Sequence, residues 1–61
     1  MEKFSCYHFK ILKNENGEGF VYEIYNTDLV LVRESDEWYE YEGIARLAAI
    51  GQISLLENGE G

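Results

Sequence analysis

A cysteine and a histidine stand two residues apart near the start of the chain, at Cys6 and His8. If this segment is a β-strand, both side chains share one face, where a thiolate and an imidazole could act as nucleophile and base. A reactive cysteine needs an electropositive environment, whereas this chain carries a formal net charge of −7. We therefore interpret Cys6 as a small residue on a sheet face and predict no catalytic pair.

Carboxylates are the other side chains that could do chemistry, and they are concentrated between residues 34 and 42. General acid–base catalysis needs a carboxylate in a pocket that shifts its pKa, and a chain of 61 residues has little volume for one. The calcium-loop pattern D-x-[DN]-x-[DN]-G does not occur, and one cysteine with one histidine cannot hold zinc. We expect no catalytic residue, no metal and no cofactor, and hence a protein that is not an enzyme.

The same stretch contains aromatic residues, and the combination predicts a protein-binding surface. Tryptophan and tyrosine are frequent in binding hot spots. Carboxylates three or four residues apart on a helix lie about 5–6 Å apart, so a row of them could engage Arg and Lys as a phosphate backbone does. The alternative is a solubilising helix face, with Trp38 and Tyr41 turned into the core. The predicted partner-binding residues are Glu34, Asp36, Glu37, Trp38, Glu40, Tyr41 and Glu42.

The distribution of charge limits the classes of partner. Residues 1–33 carry five acidic and four basic side chains, whereas residues 34–61 carry seven acidic side chains against Arg46 alone. Such a chain repels nucleic acids and anionic membranes, and it allows a basic protein partner. The N-terminus lacks the apolar segment of a signal peptide, and no apolar run approaches the roughly 20 residues of a membrane helix. We expect a cytoplasmic location, in a cell or in the host cell of a virus.

The elements that would position these residues begin with a β-hairpin. Residues 5–13 and 20–25 alternate like strands, and Asn16-Gly17 between them is a strong signal for a two-residue turn. The resulting register places apolar residues opposite each other on one face and pairs opposite charges on the other, which stabilises a sheet. The predicted pairs are His8–Tyr25, Phe9–Ile24, Lys10–Glu23, Ile11–Tyr22, Leu12–Val21 and Lys13–Phe20.

A third strand, from Leu29 to Arg33, is predicted after a turn at residues 26–28. A turn with Asn26-Thr27 at its tip places Leu29 and Leu31 on the same face as Phe9, and it makes both faces of the sheet apolar. One helix covers only one face, and a chain of this size buries only about 60% of its unfolded surface. We therefore expect a homodimer. The predicted self-association face is Leu12, Val21, Val30 and Val32.

A single helix is predicted after the third strand. Ser35 or Asp36 is a good N-cap, and the acidic residues that follow suit the positive end of the helix dipole. The apolar residues at helical spacing are Tyr41, Ile44, Leu47, Ala48 and Gly51. Gly51 is the predicted C′ residue, which leaves residues 52–57 as a short fourth strand or an extended tail. The alternative is a helix that continues through Gly51 to Leu56.

Three short strands, a Ser-acid-x-aromatic segment and a helix with a late isoleucine resemble the small YegP-like domain family of unknown function. The resemblance covers about residues 8–53, although the lysine-rich start of that family's helix is missing here. It implies a β-β-β-α unit that pairs with a second copy, as a dimer or tandem repeat, and it implies no catalytic residue. The matching residues are Phe9, Ile11, Tyr22, Ile24, Leu29 to Val32, Ser35, Trp38 or Tyr39, Ile50 and Ile53.

Together these features predict one small α+β domain over residues 1–61, with a three-stranded antiparallel sheet of two hairpins and one helix on one face. The predicted function is a non-enzymatic acidic interaction module. In its sharper form it is an inhibitor that engages a basic nucleic-acid-binding protein, as small nucleic-acid mimics in phage anti-defence do. The alternative is a cellular homodimer of the YegP-like type whose acidity serves solubility.

Overall fold

The computed structural model describes residues 1–15 and 17–59. The α+β class is confirmed, but the described residues form four strands, and the additional strand lies at the N-terminus. All four strands form one antiparallel sheet in the order β1-β2-β3-β4, so each strand pairs with its neighbours in the sequence. The elements are β1 (Glu2–Phe4), β2 (Tyr7–Lys13), β3 (Phe20–Tyr25), β4 (Leu31–Glu34) and α1 (Glu42–Glu57).

The predicted register of the β2–β3 hairpin is confirmed at all six pairs, from His8–Tyr25 to Lys13–Phe20. The connection is closed by backbone hydrogen bonds, in which the Asn14 N–H donates to the Gly19 carbonyl at 2.8 Å and the Gly17 N–H to the Asn14 carbonyl at 2.8 Å. The predicted two-residue turn includes Asn16, which lies outside the described residues. Alternation with a period of two is enough to determine the register here, because a shift of one residue would exchange the two faces.

The β3–β4 connection is longer than the predicted turn. The Asn26 side-chain Oδ1 accepts hydrogen bonds from the backbone N–H groups of Asp28 at 2.9 Å and Val30 at 3.0 Å. This asparagine therefore organises a loop over residues 26–30, in which Leu29 takes a left-handed conformation with φ of 63°. Because the loop uses residues that were predicted to extend the strand, β4 begins only at Leu31.

The longer loop changes which side chains of β4 face the core. Arg33 pairs with Ile24, and Leu31 pairs with Tyr25 across a bulge. The prediction that Leu29 and Leu31 lie on the core face is therefore wrong. Residues 29–32 are all exposed, with exposed fractions from 41% to 58%.

The helix begins later and ends later than predicted. Ser35 does not serve as an N-cap, because its backbone N–H and its hydroxyl are both engaged with Tyr22 of β3. The residue that precedes the first turn is Tyr41, and its side chain makes no capping hydrogen bond. At the other end α1 continues through Gly51 to Glu57, and the left-handed Gly59 follows it. The predicted C-terminal strand over residues 52–57 is wrong, and the alternative of a continuous helix is confirmed.

The core lies between α1 and one face of the sheet. Small residues on the helix allow it to approach the sheet closely, where it packs on Phe9 and Ile24. The predicted helical stripe is displaced, since Ile44, Leu47 and Gly51 are exposed. Within the described ranges, no helix has the length and apolarity needed to cross a membrane. The buried hydrophobic residues are Phe9, Tyr22, Ile24, Ala45, Ala49 and Ile53.

The face of the sheet opposite α1 is mixed rather than apolar. Near its centre, Lys10 Nζ lies 3.7 Å from Glu23 Oε1 and 5.6 Å from the centroid of the Tyr25 ring. The Tyr25 hydroxyl donates a hydrogen bond to the same Glu23 oxygen at 2.6 Å. This polar group divides the face, so the face offers no continuous apolar surface.

The predicted self-association face is not assembled as one patch. Leu12 and Val21 pair on neighbouring strands and are half-buried. Val30 and Val32 flank Leu31, which is level with Tyr25, four residues further along β3. At about 3.3 Å per residue this separates the two pairs by about 13 Å. The cause is again the 26–30 loop, which moves β4 along β3.

Candidate acidic interaction surface

Residues 34–42, which we call the acidic strip, extend from the last residue of β4 to the first residue of α1, and residues 35–41 between them are an irregular segment that runs beside β3. Two residues anchor it. The Ser35 N–H donates to the Tyr22 carbonyl at 3.0 Å, and the Tyr22 N–H donates to Ser35 Oγ at 3.3 Å. Further along, Tyr39 exchanges two backbone hydrogen bonds with Phe20, of 2.7 and 2.8 Å. The strip is therefore held to the sheet at both points and is displayed along its edge.

Trp38 contacts the hairpin at Gly19, and only a glycine fits there. A Cβ at this position would lie 2.3 Å from Trp38 Cε3 and 2.7 Å from the Tyr39 carbonyl oxygen. Gly19 also has a φ of 96°, a conformation that other residues rarely adopt. The contact leaves 51% of Trp38 exposed, so the indole is positioned by the fold and remains available to a partner.

Tyr39 joins the strip to the core. Its ring stacks on Tyr22, with centroids 6.3 Å apart and 23° between the ring planes. Burial raises the pKa of the Tyr22 hydroxyl, and the neighbouring Tyr39 and the carboxylates of Asp36 and Glu37 add to this effect, opposed in part by Arg33. The two carboxylates therefore act electrostatically on the Tyr22 hydroxyl, at the end of the core where Tyr39 packs.

The carboxylates of the strip face solvent. Glu42 lies 3.2 Å from Arg46 in a salt bridge, and that arginine also binds Glu2. The other four acidic residues form no salt bridge within the described part of the chain. Tyr41 stands among them with an exposed fraction of 64%. The four carboxylates without a cationic partner are those of Glu34, Asp36, Glu37 and Glu40.

All seven predicted partner-binding residues thus lie on one continuous segment, although not at helical spacing. The alternative that Trp38 and Tyr41 turn into the core disagrees with their exposure. The aromatic residue that does reach the core is Tyr39, which was not predicted. The sequence signal for this arrangement is Gly19, because a glycine after the hairpin turn leaves the space that Trp38 occupies.

The other candidates for chemistry are not gathered into a site. Cys6 is exposed in the turn between β1 and β2 rather than on a sheet face, because the chain reverses at Ser5, whose φ is 58°. Residues 1–15 and 17–59 contain no group of three or more His, Cys, Asp or Glu side chains placed to hold a metal ion, and no pocket.

Comparison of the chain with protein-family models, with curated proteins and with solved structures gives no match. The chemistry of the acidic strip follows from its own geometry. It offers exposed negative charge, two accessible aromatic rings and a backbone that is held in place.

Proposed function

We propose that this chain is a non-enzymatic interaction module that binds a basic protein through the acidic strip. The observation that carries the proposal is the group of four exposed carboxylates around Trp38 that form no salt bridge with residues 1–15 and 17–59, on a segment anchored to β3. A surface of this kind attracts arginine and lysine side chains, and it also speeds their encounter.

Preorganisation supports the same conclusion. A flexible acidic tail would lose conformational entropy when it binds, whereas Ser35 and Tyr39 already hold the strip against the sheet. Trp38 and Tyr41 add large, partly exposed rings of the type that contributes most to binding energy. The surface therefore combines long-range attraction with contacts that can be desolvated.

We propose further that the bound surface of the partner is one that otherwise binds nucleic acid. Such surfaces present rows of Arg and Lys to phosphates, and the strip presents five carboxylates within nine residues. In this form the protein is an inhibitor that competes with nucleic acid, of the kind found among phage anti-defence proteins.

The test is a charge reversal of the strip with a matched control. The Glu37→Lys/Glu40→Lys variant and the Glu15→Lys/Asp28→Lys variant change the net charge equally, because each replaces two exposed acidic residues. The control residues lie in the β2–β3 and β3–β4 loops, outside the acidic strip. Proteins retained from host lysate by the immobilised wild type would be identified by mass spectrometry, purified, and titrated by calorimetry with all three chains.

We expect the strip variant to bind the purified partner at least 100-fold more weakly, and the loop variant to bind within about fivefold of wild type. The partner's nucleic acid should compete with the wild-type chain. Equal loss in both variants would show that only net charge matters. Retention by the strip variant would disprove the proposal, as would capture of no basic protein, and the alternative of acidity for solubility would then stand.

A further inference from the structure

The sheet has a free edge at β4. Because the strand order is β1-β2-β3-β4, β4 pairs with β3 on one side, and no strand in the described part of the chain pairs with it on the other. An edge strand presents unpaired backbone N–H and C=O groups that can pair with another chain. The opposite edge, β1, carries the charged Glu2 and Lys3, which protect against such pairing. In β4, by contrast, Leu31 and Val32 have exposed fractions of 44% and 41%.

The hydrogen bonds that follow β4 show which of its backbone groups are free. The Ser35 N–H points toward β3, because it donates to the Tyr22 carbonyl at 3.0 Å. Antiparallel pairs alternate between hydrogen-bonded and non-hydrogen-bonded positions, so the neighbouring Glu23–Glu34 pair is of the non-hydrogen-bonded kind. The N–H and C=O of Glu34 therefore point away from β3, toward the free edge.

The side chain of Glu34 has a like charge beside it and no positive one. Glu34 stands directly opposite Glu23, and like charges in this arrangement destabilise a sheet. Glu23 is compensated by Lys10 at 3.7 Å and by the Tyr25 hydroxyl at 2.6 Å. Glu34 forms no salt bridge with residues 1–15 and 17–59. A lysine or arginine on a strand added to β4 would stand opposite Glu34 on the same face and would supply the missing charge.

We propose that the basic partner binds through an extended segment that pairs antiparallel with the free edge of β4, with a lysine or arginine opposite Glu34. The three strand pairs among the described residues are also antiparallel. In this mode of recognition the main chain supplies hydrogen bonds, and alternate side chains supply specificity. The inference rests on the proposed function and deepens it, because it gives the form in which the partner reaches the acidic strip.

Charge selects a basic segment over other occupants. The acidic strip continues from Glu34, so a strand that extends past the end of β4 meets Asp36 and Glu37 next. A second copy of the chain would add its own carboxylates, and two chains of net charge −7 repel. A purely apolar segment would leave Glu34 uncompensated. Since β4 has only four residues, main-chain pairing is short, and the carboxylates supply the remaining attraction.

The test uses a synthetic peptide of four Lys-Val repeats with blocked ends, because valine favours the extended conformation. In an antiparallel pair, a lysine opposite Glu34 points its own N–H at β4, whereas the neighbouring valines point theirs away. N-methylation of the lysines therefore blocks pairing, and N-methylation of the valines is the control with the same charge and the same number of methyl groups. NMR titration of the isotope-labelled chain measures the dissociation constant and locates the amides that shift.

We expect the unmodified and valine-methylated peptides to bind alike and to shift the amides of β4. The lysine-methylated peptide should bind about tenfold more weakly or worse, because the backbone of Glu34 is then left unpaired under the peptide.

Two substitutions in the chain separate the backbone of Glu34 from its charge. Glu34→Gln removes the carboxylate and keeps the N–H, whereas Glu34→Pro removes both. Proline is tolerated on an edge strand where the N–H faces solvent, and circular dichroism checks that the variant folds. We expect Glu34→Pro to bind the unmodified peptide about tenfold more weakly than Glu34→Gln does. If Glu34→Pro does not fold, the two N-methylated peptides still decide the question.

Absence of binding at about 1 mM unmodified peptide would overturn the proposal. Equal binding of the two methylated peptides, or equal binding by the two folded Glu34 variants, would also overturn it, because attraction would then be by charge without strand pairing. If Glu37→Lys/Glu40→Lys nevertheless loses the basic partner, the proposed function stands without this inference. Strand pairing of the peptide, together with retention of the partner by that variant, would reject the proposed function alone.

Discussion

At the scale of the residue, Gly19 determines where the acidic strip lies. We predict that Gly19→Ala lowers the free energy of unfolding by about 2–5 kcal/mol, because it adds a left-handed strain of about 1–2 kcal/mol and an overpacking cost of about 1–3 kcal/mol. The overpacking arises from the Cβ that would lie 2.3 Å from the Trp38 ring. The measurement is chemical denaturation, followed by tryptophan fluorescence of the single indole.

Gly17→Ala is the control for this prediction. Gly17 also has a positive φ, of 77°, but a Cβ there meets nothing within 4 Å. This variant should lose only the strain, about 1–2 kcal/mol. Equal losses at Gly17 and Gly19 would show that contact with Trp38 does not restrict the hairpin, and that the position of the strip has another cause.

Residue patterns explain which parts of the fold could be predicted. The β2–β3 register follows from alternation and from the Lys10–Glu23 pair, because both faces constrain it at once. The β4 register could not be predicted in the same way. It depends on the Asn26 side chain, which bonds two backbone N–H groups, and on Leu29 in a conformation that leucine rarely adopts.

At the scale of the element, competition between strand pairing and helix formation explains why the helix begins later than the sequence predicts. Ser35 suits a helix N-cap, but its hydroxyl accepts a hydrogen bond from the Tyr22 N–H of β3, and its own N–H donates to the Tyr22 carbonyl. Pairing beside the sheet thus delays the helix to Glu42, and this leaves all of the acidic strip except its last residue outside the helix. The composition of the strip could be predicted from the sequence, whereas its conformation depended on long-range contacts that periodicity does not reveal.

The N-terminal strand is tied to α1 by an ion pair, and we predict that this tie depends on pH. Arg46 Nη2 lies 2.6 Å from Glu2 Oε2, and Arg46 Nε lies 3.0 Å from Oε1. The hydrogen bond from Arg46 lowers the pKa of Glu2 below its ordinary value of 4.5. A lowered folded-state pKa stabilises the protein above the unfolded-state pKa, and this contribution disappears as the pH falls through the folded-state value.

The expected result is that Glu2→Gln lowers the Tm at pH 7, and that the difference from wild type shrinks as the pH is lowered from 7 to 3. Thermal unfolding by circular dichroism measures both values. Glu15→Gln removes an exposed carboxylate that makes no salt bridge in the described ranges, and it should leave the Tm nearly unchanged at both pH values. A Glu2→Gln difference that persists at pH 3 would argue that packing, rather than charge, holds β1.

At the scale of the whole molecule, the net charge of −7 is concentrated in one half of the chain, because residues 34–61 carry seven acidic side chains against Arg46 alone. The acidic strip therefore attracts a basic partner through charge. Salt screens attraction between the strip and such a partner, so we predict that binding to the basic partner weakens when the salt concentration is raised from 0.1 to 1 M. Calorimetry at both salt concentrations measures the change, and binding that keeps its strength at 1 M salt would show that charge does not hold the two proteins together.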